Sequence, residues 1–521
     1  MELNLIKDNI DYEQSVGEYS QDLVIKEEYV IPDILPDISD VLMLDARPIV
    51  TSKEVLNGKV NVEVQIQFNI LYMSREEDNT EVQSVNYECT LNNAVINAEE
   101  ALEGMLCEAE VNMEHIHCII ANERKVCVQG VLNVTCEVMK KNGFEIVKEV
   151  ESSSKIEFLK KPMIIDKMLG QFDGEMIGRT SFKIDMDRPE IGSVVKYFIT
   201  LGKKDIKLYN GGIHLECIAN IQVLYKAKNS RELVSLIENV LLSKDLDIEK
   251  VKMNMEHNTD FVVHPFEYEI KEDDMGENRI LDIEFLVRSS TNVMYKEEVE
   301  MIEDAYCPNE IIEMKKEEFN MNIIQGNILG ETLVKGDLEL EYPEIKPSKV
   351  MMTTGDVNIT DKKIMDDKVM IEGLLKVDVL FTTNDEKDYM SSISDEIPFS
   401  IALDLKGAKI DMHCITRLYL EMLEVTVEAG NICVRAIVKA YCRVMDYVKK
   451  EFLVNMMPVE GEIPEKKSSI TIYVVQEDDN LWKIAKRYYA TKEDIMVIND
   501  LEDENAIKPM DKLIIPGRAV I

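Results

Sequence analysis

At 521 residues the chain is too long for a single hydrophobic core and calls for several folded units. With 45% hydrophobic and 30% charged residues, the composition excludes disorder for the body of the chain. The 99 acidic against 59 basic residues give a net charge of −40, a field that repels phosphate backbones and anionic lipid, so nucleic acid and acidic membrane surfaces are poor partners.

The N-terminal segment, residues 1–23, places acidic side chains in every apolar run. No stretch anywhere approaches the ~18 apolar residues that a spanning helix needs, so neither a signal peptide nor a membrane anchor is expected. The ten cysteines are scattered without a C-x-x-C pair and read as small buried apolar side chains in a reducing cytosol.

A strand with strict period-two alternation then occurs three times. In the first copy Val60, Val62, Val64, Ile66, Phe68 and Ile70 alternate with polar residues and run on to Tyr72. The second copy carries Ile213, Leu215, Cys217, Ala219, Ile221 and Val223 and ends at Tyr225; the third carries Val369, Ile371, Gly373, Leu375, Val377 and Val379 and ends at Phe381. Such alternation places one face on a core and the other in water. A proline followed by an acid precedes each strand in register, as Pro36-Asp37, Pro189-Glu190 and Pro343-Glu344.

Each copy closes in a second apolar run, over 125–138, 280–287 and 432–444, with Cys127 and Cys136 matching Cys433 and Cys442. Segments 98–111 and 230–242 carry some helical character. The predicted fold class is therefore mostly β with an α+β terminus: three tandem β-sandwich-like repeats over 24–155, 156–318 and 319–455, each with one or two helical crossings.

Motifs for nucleotide binding and common hydrolases are absent: there is no G-x-x-x-x-G-K-[ST], G-x-G-x-x-G, G-x-S-x-G or H-E-x-x-H. His115 and His117 would share one strand face and could meet a metal ion, but His115-Ile116-His117-Cys118 has no counterpart in the other copies and reads as structural. Adjacent His413 and Cys414 do not supply the geometry of a nucleophile and its base. Asp33, Asp37 and Asp40 could suggest a carboxylate pair or a calcium loop, yet the acid at Asp37 recurs at Glu190 and Glu344, which favours a turn. Neither catalytic residues nor a metal nor a cofactor is assigned, and the chain reads as a non-enzyme.

After a linker over 456–469, a unit over 470–517 has the order strand, helix, helix, strand. Leu481, Ile484, Ala485 and Tyr488 fall at the spacing of one helix face, and Thr491 followed by Asp494 starts a second helix in the manner of a capping box. Tyr473, Val475, Asp479, Leu481, Trp482, Ile484, Ala485, Asn499, Leu513 and Pro516 resemble the LysM domain pattern over the whole module. That resemblance implies a groove for N-acetylglucosamine glycans between the loops at 478–480 and 506–509. Here Asp478, Asn480 and Met510 replace the glycine, threonine and glycine usual in the family, which obstructs close approach of a sugar to the backbone. Trp482, the only tryptophan, lies off the apolar helix face and reads either as packing against the linker or as an exposed anchor for a protein partner.

Tandem β-rich repeats followed by one LysM domain resemble the SPOCS-repeat spore coat morphogenesis proteins of clostridia. The resemblance implies a scaffold for coat assembly, in the mother-cell cytoplasm at the forespore surface, that binds the coat-basement ATPase SpoIVA, with other coat proteins as further partners. Trp482, Asp478, Asp479, Asn480, Ile507 and Lys508 would then form a partner-binding surface. The alternative is a peptidoglycan binder using the same groove.

Overall fold

In a computed structural model, residues 3–76, 79–264, 267–340, 346–385, 389–461 and 470–516 are described. The first repeat contains β1 (Leu3–Val30), β2 (Ile38–Leu56), β3 (Lys59–Glu76), β4 (Asn79–Asn97), β5 (Leu106–Asn122) and β6 (Lys125–Ser152). The second contains β7 (Glu157–Lys183), β8 (Ile191–Tyr209), β9 (Gly212–Ala227), β10 (Leu233–Asp247), β11 (Glu256–Val263), β12 (Glu267–Glu272) and β13 (Asn278–Tyr306). The third contains β14 (Ile311–Leu338), β15 (Pro347–Met365), β16 (Lys368–Thr383), β17 (Met390–Asp404), β18 (His413–Glu428) and β19 (Asn431–Val459). The terminal module is β20 (Ile470–Val474), α1 (Leu481–Arg487), α2 (Lys492–Ile498) and β21 (Lys512–Pro516).

Each repeat is a sandwich of two open antiparallel sheets. In the first, β2-β3-β4 packs on β1-β6-β5. The alternating side chains Val60 to Tyr72 of β3 meet Val126 to Val138 of β6 in one core, as the period-two pattern requires. The second repeat packs β8-β9-β10 on β7, β13, β11 and β12, and the third packs β15-β16-β17 on β14-β19-β18. Neither segment with helical character is a helix: 98–105 is turn and β5 takes 106–111, while β10 takes 233–242. Their local helix preference yields to the open edges of β6 and β9, which offer a full ladder of backbone partners.

The proline-to-aromatic spacing has a direct cause. Tyr72 Oη donates to Pro36 O at 3.0 Å and Tyr225 Oη to Pro189 O at 2.9 Å, tying the loop before each sandwich to the end of its central strand. Pro343, Glu344 and Ile345 of the third copy lie outside the described residues. The acid of the motif is structural: Asp37 pairs with Arg124 at 2.9 Å and Glu190 with Lys228 at 3.1 Å.

Beyond the sandwiches the long strands continue as two-stranded ribbons. β1 pairs with β6 from Leu3 opposite Ser152 to Val30 opposite Lys125, whereas β5 reaches only as far as Met139. β7 with β13 and β14 with β19 form equivalent ribbons. The three ribbons bury Ile10, Phe144, Ile165, Val299, Met321 and Phe452 against one another, with Phe144 stacked on Phe319 at 3.8 Å between ring centroids. At the opposite end Leu42, Leu71, Val195, Leu224, Met352 and Leu380 join the three sandwiches. The molecule is thus three units around a common axis, with a stalk of three ribbons.

This arrangement revises the division of the chain. Residues 1–23 are not a separate segment, since β1 runs from Leu3 as one side of the first ribbon and its Val16, Tyr19 and Leu23 pack on the core of the first sandwich. The division at 318/319 falls inside β14. Of the linker at 456–469, the first four residues belong to β19 and 462–469 lie outside the described residues, as does residue 517.

Candidate functional site

The module assembles as its pattern predicts. Leu481, Ile484 and Ala485 of α1 are buried with Ile495 of α2 and Leu513 and Ile515 of β21. Asn480 caps α1 by accepting from Lys483 N at 2.8 Å, and Thr491 Oγ1 caps α2 by accepting from Asp494 N at 3.0 Å. Asn499 links helix to strand: its amide donates to Ile495 O and Ile514 O and accepts from Ile514 N, at 2.7–2.8 Å.

The two loops adjoin because Met510 N donates to Val475 O and Val475 N donates to Asp511 O. Asp478, Asn480 and Lys508 are exposed and Ile507 is half-buried against the module core. Asp479 turns inward, accepting from Tyr473 Oη at 2.5 Å and from Gln476 N at 2.9 Å. The Tyr473 hydroxyl, with that backbone N–H and Arg487, holds its carboxyl below the usual range against a small desolvation cost. Met510 takes φ +76°, the left-handed backbone that the family glycine adopts freely and that a side chain tolerates at a cost of ~1–2 kcal/mol.

Trp482 is not an exposed anchor. It is 7% exposed and packs on the tip of β13, where its Nε1–H donates to Asp304 Oδ2 at 2.9 Å and its ring meets Tyr306 edge-on at 5.0 Å. Among the described residues its packing partner outside the module is the stalk, and 462–469 of the linker lie outside them. Lys486 Nζ reaches both oxygens of Asp304, at 2.6 and 2.8 Å, and Tyr306 Oη donates to Ala490 O at 2.9 Å. Burial raises the Asp304 carboxyl, but Lys486 and Trp482 together outweigh it and hold it below the ordinary carboxylate range. Asp304 and Tyr306 were invisible to sequence reasoning, because nothing in Asp304-Ala305-Tyr306 marks it as a receptor for a helix almost two hundred residues away.

Elsewhere, His115 and His117 lie exposed on β5 with ring centroids 5.4 Å apart, and no cluster of three metal-ligating side chains occurs among the described residues. Cys414 is buried beside Thr416 and Cys442, with Sγ 3.2 Å from Thr416 Oγ1, whereas His413 faces Tyr447. All ten cysteines are free thiols.

The model of the SipL SPOCS domain matches residues 37–121, 190–271 and 346–428, and the LysM domain model matches 473–516. The chain is a SPOCS-repeat protein of the SipL type. Each SPOCS match opens at the acid of the Pro-acid motif or close after it and covers the strands from β2 to β5, or their equivalents, leaving the closing ribbon strands outside. Both domain families are non-catalytic binding domains, and the SPOCS and LysM combination fits a sporulation-related scaffold or a LysM binding protein. Comparison with curated proteins and with solved structures found no match. No helix among the described residues is long and apolar enough to cross a membrane.

Proposed function

We propose that this SPOCS-repeat protein is a non-enzymatic scaffold for spore coat assembly, acting in the mother-cell cytoplasm at the forespore surface and docking on the ATPase SpoIVA through its LysM loops. The observation that carries this reading is the state of those loops. Asp478 and Lys508 project from adjoining loops into solvent, while Met510, with a side chain 78% exposed, occupies the left-handed position where a glycine would let a sugar approach the backbone. Asp479 and Asn480 support this surface by shaping the first loop, and Ile507 by anchoring the second. Trp482 contributes by seating the module on the stalk.

The test uses the whole chain. Immobilised wild-type protein captures purified SpoIVA, and Asp478→Lys combined with Lys508→Glu weakens that capture by about tenfold, the cost of reversing two rim charges at once. Undiminished capture by the double variant removes the loops from the interface. Co-sedimentation of the wild-type chain with peptidoglycan would establish the glycan reading instead.

A further inference from the structure

We infer that the groove between the stalk and the LysM module is a second docking surface, for a partner segment in which large apolar side chains are flanked by lysine or arginine. It goes beyond the loop surface proposed above, since none of the loop residues lines it.

The groove is open, about 990 Å³ in volume, with one wall from the start of β7 and the other from α2 and the turn after it. Its floor is apolar. Ile156 and Phe158 on the stalk side and Met496 and Leu501 on the module side are each half-buried, their free faces turned into the gap. Val497 projects from α2 with 74% of its surface exposed. Single exposed apolar residues are ordinary, but five converging from two separately folded parts of the chain make a surface that water covers at a cost.

The rim decides the occupant. Its three lysines are already engaged: Lys155 with Glu493 at 2.8 Å, Lys160 with Glu300 at 3.5 Å and Lys492 with Glu504 at 2.5 Å. Asp500, Glu502 and Asp503 follow in the turn after α2, and no cation pairs with them among the described residues. Uncompensated carboxylates beside an apolar floor repel acidic lipid headgroups and nucleic acid, and favour a cationic chain that can bury alternate side chains. The groove also exists only while the module is seated, because Trp482 and Asp304 hold its two walls together.

The experiment measures fluorescence anisotropy of a short labelled peptide alternating lysine and leucine, titrated with the full-length chain. Saturable binding is expected, and it should fall by about tenfold in Val497→Lys with Glu502→Lys. Peptides with glutamate in place of lysine, or glycine in place of leucine, should bind at least about tenfold more weakly. Emission from Trp482 serves as the folding check; if it shifts in the first variant, Asp500→Lys with Glu502→Lys, both exposed turn positions, replaces it. The inference fails if the wild-type chain does not bind the lysine–leucine peptide, if a folded groove variant binds it equally, or if the glutamate peptide binds as well.

Discussion

At the residue scale, Trp482 shows how a tertiary contact reassigns a side chain. A lone tryptophan off the apolar face of a helix looks like an anchor for something external, and it is an anchor, but for the chain's own stalk. The linkage runs through Asp304. A carboxyl whose pKa is lowered by folding contributes stability that is present above its unfolded value of about 3.9 and is lost as pH falls through the folded value. Seating of the module should therefore be unaffected between pH 7 and about 5 and should weaken below about pH 4. Because Trp482 is the sole tryptophan, its emission should shift to the red over that window as the indole meets water. Asp304→Asn should show the shifted emission already at pH 7 and no step on acidification. A step of equal size in that variant would assign the transition to other carboxylates.

Within single elements, the repeat pattern was legible because it reports one hydrogen bond made twice. The tyrosine that ends the central strand and the proline that opens the preceding loop keep a fixed spacing because Oη of the first must reach the carbonyl of the second. Tyr225→Phe should cost about 1 kcal/mol, since Tyr225 is fully buried and the Pro189 carbonyl loses its partner, and a denaturant midpoint with unchanged slope would measure it. No loss would mean that water replaces the hydroxyl there. The third copy has Phe381 at this place, a side chain with no hydroxyl to donate. Segments 98–111 and 230–242 misled for the opposite reason. Their runs of Glu and Leu favour helix locally, but over 106–111 and 233–242 a strand edge supplies a partner for every second backbone group, which outweighs a propensity difference of a few tenths of a kcal/mol per residue.

Across the whole molecule, the three repeats close around polar as well as apolar contacts. Arg417 of the third repeat reaches Glu108 of the first at 2.8 Å and pairs with Asp260 of the second, and both carboxylates push its guanidinium further up against the desolvation of its site. Lys196 of the second repeat is fully buried and donates to Asn69 of the first at 3.0 Å; burial drives it below its usual range. Arg417→Met keeps an unbranched apolar stem and removes a group that touches both other repeats at this point. It should destabilise the chain by about 2 kcal/mol, between the surface and fully buried limits, because the two carboxylates retain 33% and 41% side-chain exposure. Thermal unfolding would register this as a lower midpoint, and an unchanged midpoint would show the junction to be carried by the apolar contacts alone. Period-two alternation, the threefold recurrence and the helix-face spacing of the module were all set by the sequence, because each depends on neighbours a few residues apart or on repetition. The closure of three sandwiches into one body, the stalk and the seating of Trp482 on Asp304 were decided only in three dimensions. Their partners lie more than a hundred residues apart, and the ribbon faces that meet carry only short i, i+2 pairs such as Phe144/Ile146 and Phe319/Met321.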